Sequence, residues 1–164
     1  VMTIKNFLYK RKKMNTYIFD IEESLVQVNG TIDIDFQTFF KNWMNDKHVI
    51  LVTSFDLTDT ISQIGEDVWT SAKRIYQLNG NKYYRGRTGI SASPLAINID
   101  HIKSICLLSL SSYRETHWDT CHINYFGRDV QTIQKLQSEW NTSNQTCDIN
   151  QVNSFTETWN TLIS

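Results

Sequence analysis

Two acidic residues stand two positions apart at the end of an apolar segment near the start of the chain. Residues 16–21 are mostly apolar or aromatic, and they predict a buried strand that ends around Asp20 and Glu22. Side chains alternate along an extended backbone, so a spacing of two directs both carboxylates to one side. Two such carboxylates can hold a hard cation, or they can supply a nucleophile next to an acid/base.

Other residues that suit phosphate chemistry also follow predicted strands or lie near the start of a helix. They are Thr53 and Ser54 after the apolar run 49–52, Lys103 in a predicted helix, and Asp129 after the predicted strand 122–126. In open α/β sheets, ligands bind outside the carboxyl ends of the strands. An acid pair, a hydroxyl, a lysine and a further acid, in this order, form a set suited to phosphoryl transfer.

Apolar runs of strand length alternate with segments of helical periodicity. The predicted strands are 16–21, 49–52, 122–126 and a short one near 151–152, and the predicted helices are 33–45, 57–64, 100–113, 130–140 and 155–163. Asn79-Gly80, between two short β-prone runs, predicts a β-hairpin over 75–85. The pattern predicts an α/β fold: a three-layer sandwich with a mostly parallel, Rossmann-like sheet and one β-hairpin insertion.

Composition limits the class of partner and the compartment. The 164-residue chain is 40% hydrophobic and 20% charged, with a net charge of -1, so it is expected to be globular and offers no overall positive surface for nucleic acid. Three cysteines without paired spacing indicate free thiols in a reducing compartment. No segment is apolar over a membrane-spanning length, and no signal peptide is recognisable. We therefore expect a soluble, cytoplasmic protein.

A basic cluster, Lys10-Arg11-Lys12-Lys13, precedes Met14 and the first predicted strand. A solvated arm of this kind contributes little to a core, so residues 1–13 are predicted to be an N-terminal extension. No linker or internal repeat divides the rest, and residues 14–164 are predicted to form a single domain.

Four segments resemble, in the right order, the motifs of the haloacid dehalogenase-like (HAD) superfamily of phosphohydrolases. Its first motif, Phe-Asp-x-Asp-Gly-Thr-Leu, is similar to residues 19–25, and its second, an apolar strand ending in Thr or Ser, to 50–53. Its third, a lysine segment, looks like residues 100–107, and its fourth, a strand followed by Gly-Asp, like 125–129. The similarity is closest to the phosphomannomutase and Cof-type sugar-phosphatase branch.

The resemblance implies a magnesium-dependent hydrolase that forms an aspartyl-phosphate on a phosphorylated sugar, nucleotide or similar phosphoester. Asp20 would be the nucleophile and Glu22 the acid/base. The phosphate-binding residues would be Ser24, Thr53, Ser54 and Lys103, and the Mg²⁺ ligands would be Asp20, the backbone carbonyl of Ile21, and Asp129. The segment between Thr53 and Lys103 is too short for the large cap of related sugar phosphatases, so little or no cap domain and an open site are expected.

Three residues depart from these motifs where the chemistry would take place. Glu22 replaces an aspartate, Glu23 replaces a glycine, and Arg128 stands where a metal-binding aspartate is expected. The departures leave open a second interpretation, a catalytically degenerate HAD-like protein that binds a ligand or a protein. A third, a nucleic-acid end phosphatase with a basic arm at Lys10–Lys13, is disfavoured by the overall acidity.

Overall fold

The architecture is taken from a computed structural model of the chain. It describes residues 12–27, 30–77, 82–85, 88–90, 118–127 and 145–164, together with the single positions Gln134 and Ser138. The strands are β1 (Lys12–Asp20), β2 (His48–Val52), β3 (Arg74–Gln77), β4 (Lys82–Arg85), β5 (Thr88–Ile90), β6 (Trp118–Gly127) and β7 (Gln145–Gln151). The helices are α1 (Ile21–Ser24), α2 (Ile34–Met44), α3 (Leu57–Ile64), α4 (Glu66–Ser71) and α5 (Phe155–Ile163).

The strands form one sheet in the order β5-β4-β3-β2-β1-β6-β7. The strands β3, β2, β1, β6 and β7 are parallel to their neighbours, whereas β4 and β5 extend the sheet in antiparallel fashion. Helices connect β1 to β2 and β2 to β3, as parallel neighbours require. The predicted α/β class with a mostly parallel, Rossmann-like sheet is confirmed.

The predicted hairpin is present as the β3–β4 pair, in which Ile75 lies opposite Tyr84 and Gln77 opposite Lys82. Its Asn79-Gly80 turn lies outside the described residues. The strand β5 pairs antiparallel with β4 and extends the hairpin by one strand, which the sequence did not predict.

The helix α2 covers one face of the sheet because its sequence provides both a cap and an apolar stripe. The carboxylate of Asp33 accepts hydrogen bonds from the backbone N–H groups of Asp35 and Phe36, both at 3.0 Å, which satisfies donors at the helix start. The buried residues of the helix recur every four positions, so they share one side: Phe36, Phe40 and Met44.

The side chain of Phe19 on β1 lies at the centre of this aromatic core. Its ring centroid is 4.6 Å from that of Phe126 on β6 in a stacked arrangement and 5.1 Å from that of Phe40 in an edge arrangement. Side chains on the opposite face of the sheet, such as Ile18 and Ile50, are equally buried, at 1% and 0% exposure. Both faces are therefore covered, as a three-layer sandwich requires.

Several element boundaries differ from the predicted ones. The strand β1 already includes Lys12 and Lys13, which pair with β6, and it ends at Asp20 rather than at Ile21. Residues 1–11 lie outside the described residues, so for them the extension predicted over 1–13 stays a prediction. The predicted helix 100–113 also lies outside them, as does 130–140 apart from Gln134 and Ser138. Among the helices that the structure describes, none is both long and apolar enough to cross a membrane.

The imidazole of His48, at the amino end of β2, makes the stability of the fold depend on pH. Its Nδ1 lies 3.1 Å from the hydroxyl oxygen of Thr16, and burial, reinforced by the charges of Lys73 and Arg74, lowers its pKa from 6.5 to about 4. The unfolded chain therefore takes up this proton at a higher pH than the folded one. The free energy of unfolding is highest above pH 6.5 with respect to this group. It falls as the pH drops towards 4, and protonation of His48 accounts for at most about 3 kcal/mol of the loss.

Urea unfolding at pH 7, 5.5 and 4 measures this effect, with His48→Gln as the comparison. Glutamine cannot be protonated in this range, so we expect the variant to lose less stability between pH 7 and pH 4 than the original chain. Carboxylates titrate in both proteins and cancel in the difference. Parallel pH profiles for the two proteins would contradict the assignment to His48.

Candidate active site

The ends of three adjacent strands bring the candidate residues to one edge of the sheet. Asp20, the last residue of β1, pairs with Val52, the last residue of β2, so Thr53 follows directly beside it. On the other side, the register of Phe19 with Phe126 sets Gly127 next to Asp20. From β1 the chain adds β2 and β3 on one side of the sheet, and from β6 it adds β7 on the other side, so the direction of strand addition reverses between β1 and β6. This is the switch point at which open α/β sheets bind ligands.

A single helical turn, α1, follows β1 and separates the two predicted catalytic acids. The backbone N–H of Leu25 donates to the carbonyl oxygen of Ile21 at 3.1 Å, and the hydroxyl of Ser24 donates to the carbonyl oxygen of Asp20 at 2.5 Å. Because the strand stops at Asp20, the alternation expected for an extended backbone does not apply to Glu22. Asp20 belongs to the strand and Glu22 to the helical turn. The predicted geometry, in which both acids lie on one extended strand, is therefore wrong.

The carboxylate of Glu22 meets the predicted phosphate-binding residues at the end of β2. Its Oε1 accepts hydrogen bonds from the hydroxyl of Thr53 at 2.7 Å, from the backbone N–H of Ser54 at 2.7 Å, and from the hydroxyl of Ser54 at 2.6 Å. Bonds of this length to an anionic oxygen are strong ones. The second oxygen, Oε2, is buried and has no hydrogen-bond partner among the residues that the structure describes.

The position of Thr53 is fixed from three directions. Its backbone N–H donates to the carbonyl oxygen of Tyr76 on β3 at 2.9 Å, its side chain is fully buried, and its hydroxyl oxygen accepts from the N–H of Phe55 at 3.1 Å. With that N–H on the oxygen, the one hydroxyl hydrogen is directed to Glu22. The helix α3 begins shortly after, at Leu57, and the partial positive charge of its amino end favours an anion nearby.

The remaining predicted site residues have different positions. Asp20 is half-buried at the strand end, while Ser24 is fully buried with its hydroxyl hydrogen directed to the backbone. Lys103, Arg128 and Asp129 lie outside the described residues, as does the side chain of Glu23. Their predicted roles stay predictions.

The predicted magnesium site is only partly represented. Within the described ranges, no group of three His, Cys, Asp or Glu side chains could hold a metal ion. Of the three predicted ligands, Asp20 is at the strand end, the Ile21 carbonyl oxygen already accepts a hydrogen bond inside α1, and Asp129 is not described. The described residues therefore do not by themselves form a magnesium site.

Gln77 is a polar residue at this edge that the sequence did not single out. It ends β3, is fully buried, and accepts a hydrogen bond from the hydroxyl of Thr60 on α3 at 2.8 Å. A glutamine that closes the apolar strand of Ile75 and Tyr76 is the sequence signal that could have indicated it. It links α3, which follows the Thr53–Ser54 segment, to the neighbouring strand.

A trehalose-6-phosphate phosphatase related protein of known crystal structure is similar to the chain. The TM-score is 0.56 at 8% identity, over 90% of this chain and 95% of that one. Two structures of the Plasmodium falciparum IMP-nucleotidase, one of them truncated at its C-terminus, match at 8% and 11% identity with TM-scores of 0.37 and 0.35. They cover 63% of this chain but only 30% and 35% of their own length, and at such scores they carry no weight.

No family model matches the chain, and no curated protein matches it either. At 8% identity a structural likeness extends to the fold alone. The chain has, over 90% of its length, the α/β fold of the trehalose-6-phosphate phosphatase related protein.

Proposed function

We propose that the chain is a phosphomonoesterase of the HAD-like superfamily that works at the carboxyl end of β1. The observation that carries the proposal is the meeting of Glu22 with Thr53 and Ser54, next to the strand end that bears Asp20. The fold shared with a trehalose-6-phosphate phosphatase related protein supports it and makes a phosphorylated sugar the first substrate class to test. Nucleotides and similar phosphoesters are the next.

In the first step, a carboxylate oxygen of Asp20 attacks the phosphorus atom. The bond from phosphorus to the leaving oxygen breaks, and Glu22, which enters this step in its protonated form, gives its proton to that oxygen. The hydroxyls of Thr53 and Ser54 and the ammonium group of Lys103 bind the phosphoryl oxygens as their negative charge is redistributed. The products are the free alcohol and an aspartyl-phosphate on Asp20.

In the second step, water hydrolyses the aspartyl-phosphate. Glu22, now deprotonated, takes a proton from the water, whose oxygen attacks phosphorus. The bond between phosphorus and Asp20 breaks, which releases inorganic phosphate and restores both carboxyl groups to their starting states. Magnesium is part of the proposal: Asp20, the backbone carbonyl of Ile21 and Asp129 would hold it, and its charge would offset that of the phosphoryl group.

A second candidate function is supported by the same contacts. Glu22 already uses the donors of Thr53 and Ser54. In this second candidate the protein keeps the fold without catalytic turnover, and the site binds a ligand or a protein. The two candidates differ in one measurable property, the release of inorganic phosphate.

We expect phosphate release from an aryl phosphate and from a panel of sugar phosphates when Mg²⁺ is present. Incubation with EDTA should abolish it, and added Mg²⁺ should restore it, because the proposed chemistry develops charge that the cation offsets. Phosphate release measured by colorimetry, with and without EDTA, checks both expectations. Release at the level of buffer alone for every ester would leave the binding module as the remaining candidate.

A further inference from the structure

The donors that Glu22 engages are the donors that a phosphoryl oxygen would need. The hydroxyls of Thr53 and Ser54 and the N–H of Ser54 converge on one carboxylate oxygen, at 2.6 to 2.7 Å. A phosphoryl oxygen resembles that oxygen in charge and in the donors it accepts from. The set therefore forms an anion site, and the protein's own side chain fills it.

None of these donors can serve a second anion while Glu22 is in place. The hydroxyl of Thr53 has a single hydrogen, and the N–H of Phe55 already donates to its oxygen, so that hydrogen is directed to Glu22. The single hydrogen of the Ser54 hydroxyl and that of its N–H are directed to the same oxygen. An incoming phosphate would meet a like charge where it needs hydrogen bonds.

The length of the glutamate side chain makes this arrangement possible. Glu22 lies in α1, beyond the end of β1, and its carboxylate reaches across to the residues that follow β2. Aspartate at the same position would be one methylene shorter. The arrangement also leaves Oε2 buried without a partner among the described residues, a cost that is relieved when the side chain moves out.

We infer that Glu22 is a built-in competitor for the phosphoryl site: it occupies the Thr53–Ser54 anion site when no ligand is bound and must leave before a phosphate can bind. This inference rests on the proposed phosphoryl-binding role of Thr53 and Ser54. It adds a selection step, since only an anion that gains more from the site than Glu22 does will displace it. After it takes up a proton from solvent, the released carboxyl group is the one that the proposed mechanism uses as acid/base.

Isothermal titration with inorganic phosphate tests the inference without any turnover. We expect Glu22→Ala to bind phosphate at least tenfold more tightly than the original chain, which corresponds to about 1.4 kcal/mol. Glu22→Asp should also gain affinity, and Glu22→Gln, which keeps the shape and loses the charge, should gain less than Glu22→Ala. Adding Thr53→Val, or Ser54→Ala, to Glu22→Ala should reverse most of the gain, because it removes a donor.

Two controls keep the outcome clear. Asp67→Ala removes the same charge from an exposed site on α4 and should leave phosphate affinity unchanged at 0.15 M salt. Thermal unfolding of each variant establishes that it is folded, and Glu22→Asp and Glu22→Gln replace Glu22→Ala if the latter is not. Phosphate affinity that is equal or weaker in all three Glu22 variants would overturn the inference.

The inference and the proposed function can fail separately. A gain in phosphate affinity without any phosphoester hydrolysis would support Glu22 as the competitor and contradict the enzyme. Hydrolysis by the original chain without such a gain would support the enzyme and contradict the competitor.

Discussion

Replacing Asp20 by asparagine should lower phosphate release by about three orders of magnitude or more, while the unfolding temperature changes little. Asparagine has nearly the shape of aspartate and can keep the half-buried position at the end of β1. It lacks the negative oxygen that would attack phosphorus, so no acyl-phosphate can form. Steady-state rates with an aryl phosphate and Mg²⁺, beside thermal unfolding of both proteins, measure the two effects.

The matched control for this substitution is Asp67→Asn on α4. Asp67 is an exposed acid paired with Lys41 at 3.1 Å, and such surface pairs contribute little to stability. The control should keep full activity. More than about a tenth of the original activity in Asp20→Asn would contradict the nucleophile, since the loss of an attacking group costs far more than tenfold.

The central strands were predictable because burial on both faces requires their sequences to be mostly apolar. The continuous apolar run 49–52 is typical of a strand that is buried on both faces, and it forms most of β2. The strand β7 was predicted only near 151–152, although it spans Gln145–Gln151. Only Cys147 and Ile149 among its seven residues are apolar, so the sequence gives a weak strand signal. Its pairing with β6, a contact between distant parts of the chain, determines the strand rather than any local preference.

The candidate site was predictable as a set of residues but not as a geometry. The sequence indicated Asp20, Glu22, Thr53 and Ser54 at strand ends, and the structure brings the last three together by hydrogen bonds. It could not indicate that Glu22 would fill the site. That contact depends on where β1 stops and on the register of β1 with β2, both of which are set by the packed sheet.

The second large effect is expected in the core rather than at the site. Phe19→Ala should lower the free energy of unfolding by about 4 kcal/mol, because it removes a fully buried ring and leaves a cavity between β1, β6 and α2. The lost contacts include the stacked ring of Phe126 at 4.6 Å and the edge-on rings of Phe40 and Trp43 at 5.1 and 5.7 Å. Since a domain is stable by only about 5–15 kcal/mol, this is a large fraction of the total.

Urea unfolding of Phe19→Ala, Phe19→Leu and Ile34→Ala separates burial from general effects of substitution. Phe19→Leu keeps most of the apolar volume and should lose clearly less than Phe19→Ala, which also keeps the prediction testable if the alanine variant does not fold. Ile34 is 73% exposed, so its change to alanine should stay within about 0.5 kcal/mol. A loss below about 1.5 kcal/mol for Phe19→Ala would contradict the packing described for β1. Because Phe19 directly precedes Asp20, the same packing holds the end of β1 beside Thr53, so a stable core is a condition for the proposed chemistry.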